Sequence, residues 1–224
     1  MKKWVFVLVC VFLQFQYVQA EIVSIEASRD TTLIEDPAGA FSNGSGPVFF
    51  VGRTNQVFDS IRRGLLYFDV AAAIPENTVI ESVSLTLYQD RGNPALSVVS
   101  LQRVLDGWGE GASAASGGGG ALSQPGDATW IHTFYDYAFW NHEGGQFVGR
   151  VSAWQYVEGD GYYVWESTDD LVKDVQRWLG NPDKNFGWVL IGDEDNPQTV
   201  KRFASRENLT TSLRPLLNVS YRLP

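Results

Sequence analysis

Val83-Ser-Leu-Thr-Leu-Tyr88 sets apolar side chains at 83, 85 and 87 against hydroxyl-bearing ones at 84, 86 and 88. Successive side chains of an extended chain point to opposite faces, so this stretch reads as a strand with one buried and one wet face. Working outward, short segments rich in β-branched and aromatic residues recur with Gly, Pro, Asn and Asp between them. Ile22 to Ala27, Thr31 to Glu35, Val48 to Gly52 and Gly64 to Val70 precede the strand, itself taken as Val79 to Tyr88. Leu96 to Val104, Thr129 to Phe134, Gly161 to Trp165, Gly187 to Ile191, Thr199 to Ala204 and Leu216 to Tyr221 follow it. The expectation is an all-β protein, an antiparallel β-sandwich or jelly roll of two packed sheets.

One segment departs from this rhythm. Within Ser167 to Leu179, residues Leu171, Val172, Val175, Trp178 and Leu179 stand at helical spacing, with Asp169 and Asp170 in the first turn and Gly180 beyond the end. Ser167 or Thr168 is the expected N-cap, and Asn181-Pro182 stops the helix, which is expected to cap one open end of the sandwich. Gly111 to Gly126, with Gly117 to Gly120 in a row, lacks the apolar bulk to repay its ordering entropy and reads as a mobile surface loop. The chain shows no internal repeat.

Met1-Lys2-Lys3, the apolar run Trp4 to Phe15 and Val18-Gln19-Ala20 read as a secretory signal peptide cleaved after Ala20. Val9 before Cys10 argues against a lipid anchor, and a run broken by Gln14 and Gln16 is short of the roughly 18 apolar residues of a membrane span. The expected product is a secreted, extracellular, periplasmic or cell-surface protein, not inserted in a membrane after cleavage. Losing residues 1–20 with Lys2 and Lys3 takes the length from 224 to 204 and the formal charge from −9 to −11, and leaves no cysteine. One domain of this size buries a full core without disulfides. Its acidity argues against nucleic acid and anionic membranes, whose binding needs clustered Lys and Arg. Three glycosylation acceptor patterns, at Asn43, Asn208 and Asn218, carry no weight without a known host.

Ile131 to Phe139, with Gly126-Asp-Ala-Thr-Trp130 before it and Trp140-Asn-His-Glu-Gly-Gly145 after it, gathers aromatic rings and both histidines into one Gly-bounded segment. Such density makes either a core strand or a platform for a flat ligand such as a sugar ring. Because polar groups interleave with the rings instead of alternating cleanly, part of the segment is expected to face a ligand. Trp108 in Asp106-Gly-Trp-Gly-Glu-Gly111 is either a rim of that site or a plug of the core.

The chain contains no Gly-x-Ser-x-Gly elbow, His-Glu-x-x-His pair or phosphate loop. His132 and His142 with Asp127 or Glu143 make a base or metal site only if they converge, which a separation of ten residues does not predict. The turn Gly192-Asp-Glu-Asp-Asn-Pro197 offers oxygens suited to a hard cation, so Asp193, Asp195 and, at the first strand's end, Asp30 are the candidate ligands of a structural calcium. A solvated turn is the plainer reading. In Lys201-Arg-Phe-Ala-Ser-Arg-Glu207, the adjacent Arg206 and Glu207 point to opposite faces of an extended chain and are not expected to pair.

Asp30-Thr-Thr-Leu33, Ser42-Asn-Gly-Ser-Gly46, Val51-Gly-Arg53, Arg62-Arg-Gly-Leu-Leu-Tyr-Phe-Asp69, Trp108-Gly-Glu-Gly111, Gly126-Asp-Ala-Thr-Trp130, Asn185-Phe-Gly-Trp188 and Lys201-Arg-Phe-Ala-Ser-Arg-Glu207 follow one another in an order and spacing that resembles the DNRLRE-domain proteins. The resemblance implies a secreted jelly roll similar to carbohydrate-binding modules, some of which take acidic polysaccharides through basic side chains. Arg53, Arg62, Arg63, Lys201 and Arg202 are the positions it points to.

The functional expectation is a non-catalytic module for a polysaccharide or cell-surface glycan. Sugars would stack on Trp130, Trp140 or Tyr135, with hydroxyls bonded by His132, Asp127 and arginines. Two rivals stand beside it. One is a structural or adhesive protein that associates with other surface proteins. The other is a polysaccharide lyase or hydrolase using His132, Tyr135 or the carboxylates, whose separation is a property of the fold.

Overall fold

The computed structural model describes residues 20–223, so the leader expected over 1–20 lies outside the described residues apart from Ala20. The strands are β1 (Glu21–Glu26), β2 (Arg29–Ile34), β3 (Phe41–Ser42), β4 (Val48–Arg53), β5 (Ile61–Tyr67), β6 (Val79–Gly92), β7 (Ser97–Val104), β8 (Ala121–Leu122), β9 (His132–Phe134), β10 (Ala138–Phe139), β11 (Phe147–Val157), β12 (Gly161–Trp165), β13 (Trp188–Ile191), β14 (Lys201–Ala204) and β15 (Leu216–Arg222). Two helices accompany them, α1 (Val70–Ala73) and α2 (Asp169–Gly180). The pairing runs β1-β15-β6-β14-β4-β5-β13-β7-β11, with β12 added to β6 and β2 to β5. Every pair is antiparallel.

The path curls into two layers at β4, whose residues Val48 to Val51 pair with β14 while Gly52 and Arg53 pair with β5. Gly52 has φ +110°, and a Cβ there would stand 3.0 Å from the Thr199 carbonyl oxygen. Only glycine turns this corner without strain.

Alternation along β6 behaves as read. Val83, Leu85 and Leu87 are fully buried and meet Phe49, Phe203, Leu217 and Val219 of the first layer and Leu66, Val99, Leu101, Trp188 and Leu190 of the second. Each side chain of this kind contributes about 1.5–3 kcal/mol by leaving water. Thr168 is the N-cap of α2, its hydroxyl accepting from Leu171 N at 3.1 Å. The helix buries Leu171, Val175, Trp178 and Leu179 in the main core, packing on β6 and β11 as the expected cap. Trp178 meets Trp188 edge-on at 4.4 Å. No described helix is long and apolar enough to cross a membrane.

The second layer is covered on both faces over part of its width. Leu33, Leu65, Val189 and Val104, from β2, β5, β13 and β7, point away from the main core and bury against Trp108, Ala128, Trp130 and Trp140. Those residues belong to the excursion 105–146 that links β7 to β11. The Gly111 to Gly126 stretch, expected to be mobile, is tied to the body instead. Its β8 pairs with β3, Gly118 O accepts from Arg62 Nε, and Ser113 is buried with its carbonyl accepting from Ser45 N at 2.8 Å. Backbone hydrogen bonds hold it where apolar bulk does not.

Candidate functional site

The excursion puts the two tryptophans of the expected aromatic platform inside, while Tyr137 (70% exposed) and Phe139 (59% exposed) of the same segment stay at the surface. Trp130 and Trp140 are each 6% exposed, and Trp140 Nε1 donates to Thr129 O at 3.0 Å. The Arg63 guanidinium stands 4.9 Å from the Trp130 ring and covers it from the other side. Trp108 is fully buried, its Nε1 donating to Phe186 O at 2.9 Å, so it is a core plug. These tryptophan rings offer no face to a sugar.

Their polar companions are equally committed. His132 is buried, with Nδ1 paired to Thr129 Oγ1 at 2.9 Å, and burial holds its pKa below the usual value against the charge of Asp136. Asp127 is fully buried and closes the local turns by accepting from Gln124 N at 2.7 Å and Ser113 N at 3.3 Å. Tyr135 is half-buried, edge-on to His132 at 5.1 Å. His142 and Glu143 are exposed in the following turn.

The five basic candidates also serve the fold. Arg62 is 2% exposed and donates to Gly118 O, Asp59 O and Ile61 O; burial lowers its pKa to about 10. Lys201 is 1% exposed, with Nζ donating to Asn93 O, Ala95 O and Glu158 O; burial lowers its pKa against the Glu158 charge. Arg202 forks onto Asp90 at 2.7 and 2.8 Å. Arg63 forks onto Glu194 at 2.7 and 2.8 Å, and Arg53 donates to the carbonyls of Glu194 and Asp195 at 3.2 Å.

The acidic turn is therefore docked by two arginines and closed on itself. Asp193 accepts from Asp195 N, Asn196 N and Asn196 Nδ2 at 2.9–3.0 Å. Burial works to raise its pKa, and these bonds outweigh that and hold it low. Asp30 does not join Asp193 and Asp195. It is buried elsewhere, in a cluster with Glu110, Arg206 and Glu207. There Arg206 Nε lies 2.8 Å from Glu207 Oε1, contrary to the expectation that these neighbours do not pair, because the chain turns after β14 instead of staying extended. Among the described residues, no three His, Cys, Asp or Glu side chains form a group that could hold a metal ion.

What stays open is the far part of the same outer sheet face. Trp154, 55% exposed, and Tyr156, 50% exposed, project from β11 and meet edge-on at 5.2 Å. Trp154 is paired with Ser100 and Tyr156 with the exposed Val98. A groove of about 580 Å³ runs between Tyr156, Val98, Ser100 and Ile191 and the acidic turn, with Asp195 and Asn196 on its rim. This strand is missing from the sequence reading. Register shifts between Phe147 and Val151 and between Val151 and Ala153 break its alternation, and the surviving signal is the i, i+2 spacing in Ala153-Trp-Gln-Tyr-Val157.

A second cleft, of about 510 Å³, lies between α2 and the start of β11. Its floor is filled by Asp174, which accepts from Ser152 Oγ at 2.6 Å and Trp188 Nε1 at 3.0 Å and pairs with Arg103 at 3.1 Å. Arg150 and Lys173 at its mouth are paired with Asp170. The carboxylates here buttress the helix and are not free to act on a substrate.

In comparisons with known proteins, no family model matches the chain and no curated protein matches it.

Proposed function

We propose that the protein is a secreted, non-catalytic polysaccharide-binding module that works through the open part of its second layer. The observation that carries this reading is the exposed Trp154–Tyr156 pair beside a groove edged by the acidic turn. Aromatic faces take the apolar face of a sugar ring, while carboxylates and amides accept and donate to its hydroxyls. Asp195 and Asn196 have the right chemistry and exposure for those bonds, and Arg53 and Arg63 hold their turn still. The resemblance to DNRLRE-domain proteins supports the same class of function, with the contact moved from Trp130 and Trp140 to Trp154 and Tyr156.

Retention of the purified protein on a panel of neutral and acidic polysaccharides tests the proposal, with product formation read on the same samples. The expected result is retention on a defined glycan with no reducing ends or unsaturated products. Turnover of any member would favour the lyase or hydrolase reading instead.

A second reading rests on Val57 and Phe58, each 80% exposed in the loop between β4 and β5. Two adjacent bare apolar side chains at a loop suit an adhesive protein that docks on a partner surface. Concentration-dependent assembly abolished by Phe58→Ser, with silence across the glycan panel, would favour it.

A further inference from the structure

The cluster around Arg206 carries more negative charge than the protein neutralises. Three carboxylates, Asp30, Glu110 and Glu207, face one cation, Arg206, and the charges of Glu207, Glu110 and Arg206 all act on Asp30. Glu110 is fully used: Oε1 accepts from Asp30 N at 2.8 Å and Arg206 Nε at 2.7 Å, and Oε2 accepts from Arg206 Nη2 at 2.6 Å. Asp30 is 1% exposed; Oδ2 accepts from Arg206 N at 2.7 Å, but Oδ1 has no partner. Both Glu207 oxygens are likewise buried with no partner in good hydrogen-bond geometry, the Ser205 hydroxyl and the local backbone N–H being the donors nearest to them. Glu207 Oε1 is close to Arg206 Nε, yet the single hydrogen of that nitrogen is directed at Glu110.

Buried carboxylate oxygens without donors are costly, and native proteins rarely leave them so. Here three of them stand on two side chains in one cluster, beside an uncompensated charge of two. Either two protons or one divalent cation cancels the excess.

We propose that Asp30 Oδ1 and the Glu207 carboxylate ligate a hard divalent cation of the calcium class. The donors are oxygen only, which selects such an ion over zinc or copper. With Glu110 turned to Arg206, two carboxylates remain, and main-chain carbonyls and water complete the shell, as hard cations accept. The site joins β2 through Asp30, the excursion through Glu110 and the segment after β14 through Glu207. The ion thereby fastens β2 of the second layer to the segment after β14 of the first, with the excursion held beside it by the Glu110–Arg206 pair. This inference does not depend on glycan binding.

The protein stripped with EDTA is titrated with Tb³⁺, reading luminescence sensitised through Trp108, and then with Ca²⁺ by competition, with the melting temperature followed in parallel. The expected result is one equivalent of ion per chain and a rise in melting temperature on adding Ca²⁺. Glu207→Gln weakens binding by at least about tenfold, while Asp193→Asn in the acidic turn leaves it unchanged. Absence of Tb³⁺ and Ca²⁺ binding, with melting indifferent to chelator, overturns the proposal and assigns the excess charge to protons. Binding lost in Asp193→Asn overturns it as well, and that variant carries the decision if Glu207→Gln does not fold.

Discussion

The outer face of the second layer is built from one set of strands but meets two fates. Toward β2 and β5, Leu33, Leu65, Val189 and Val104 lie under Trp108, Trp130 and Trp140. Toward β11, Val98, Trp154 and Tyr156 are bare. The excursion 105–146 covers the first region and leaves the second open. Aromatic density along the chain is thus a poor guide to exposure. Trp130 and Trp140 come from the ring-rich segment and are interior, whereas Trp154 and Tyr156 come from a plain strand and face solvent. Arg63 sits between the regions, under Trp130 on one side and forked onto Glu194 of the acidic turn on the other.

The contrast makes its largest prediction for stability. Trp130→Ala and Trp140→Ala should each lower the unfolding free energy by about 3–5 kcal/mol, the cost of emptying a packed aromatic site. Trp154→Ala should stay within about 0.5 kcal/mol of the parent, as exposed positions do. Urea denaturation measures all three, and equal losses would erase the distinction. Arg63→Ala should cost about 3 kcal/mol, because it strands the Glu194 carboxylate and uncovers Trp130. Arg63→Lys should recover little, since a lysine cannot fork onto Glu194.

Gly144 sharpens the boundary further. It has φ +79°, and a Cβ there would stand 2.8 Å from the Trp130 ring. Gly144→Ala should cost about 1–3 kcal/mol, seen as a lower urea midpoint, whereas Gly149→Ala on β11, with open space around it, should not. The smallest effect is in pH. His132 has its pKa lowered by burial, so the folded state binds fewer protons than the unfolded state. Stability from this group is present above the ordinary pKa of 6.5 and is lost as pH falls below it. His132→Gln should reduce the drop in melting temperature between pH 7 and pH 5, and an unchanged drop would mean the ring is solvated.

The strands whose side chains alternate cleanly, β6 above all, and the amphipathic α2 with its Thr168 cap were legible in the chain, because local periodicity reports which side is buried. Periodicity failed at β11, where two register shifts reset the alternation and hid the strand that carries the exposed rings. It also could not show that the second layer is covered twice, since burial of Trp130 depends on an excursion folding back over strands distant in sequence. The basic residues misled for a related reason. Arg62 and Lys201 look free in the sequence, and only the fold reveals the carbonyls that surround them. Asp30 stands in the sequence only as a candidate oxygen ligand, and its neighbours Glu110 and Glu207 are brought to it by tertiary structure alone.

The most direct measurement is glycan retention of the parent protein against the double variant Trp154→Ala/Tyr156→Ala, with melting curves on both. Two stacking rings contribute about 1–3 kcal/mol together, so the account predicts a loss of affinity of about 5-fold to 150-fold in a variant that melts like the parent. Retention unchanged in the double variant would contradict it.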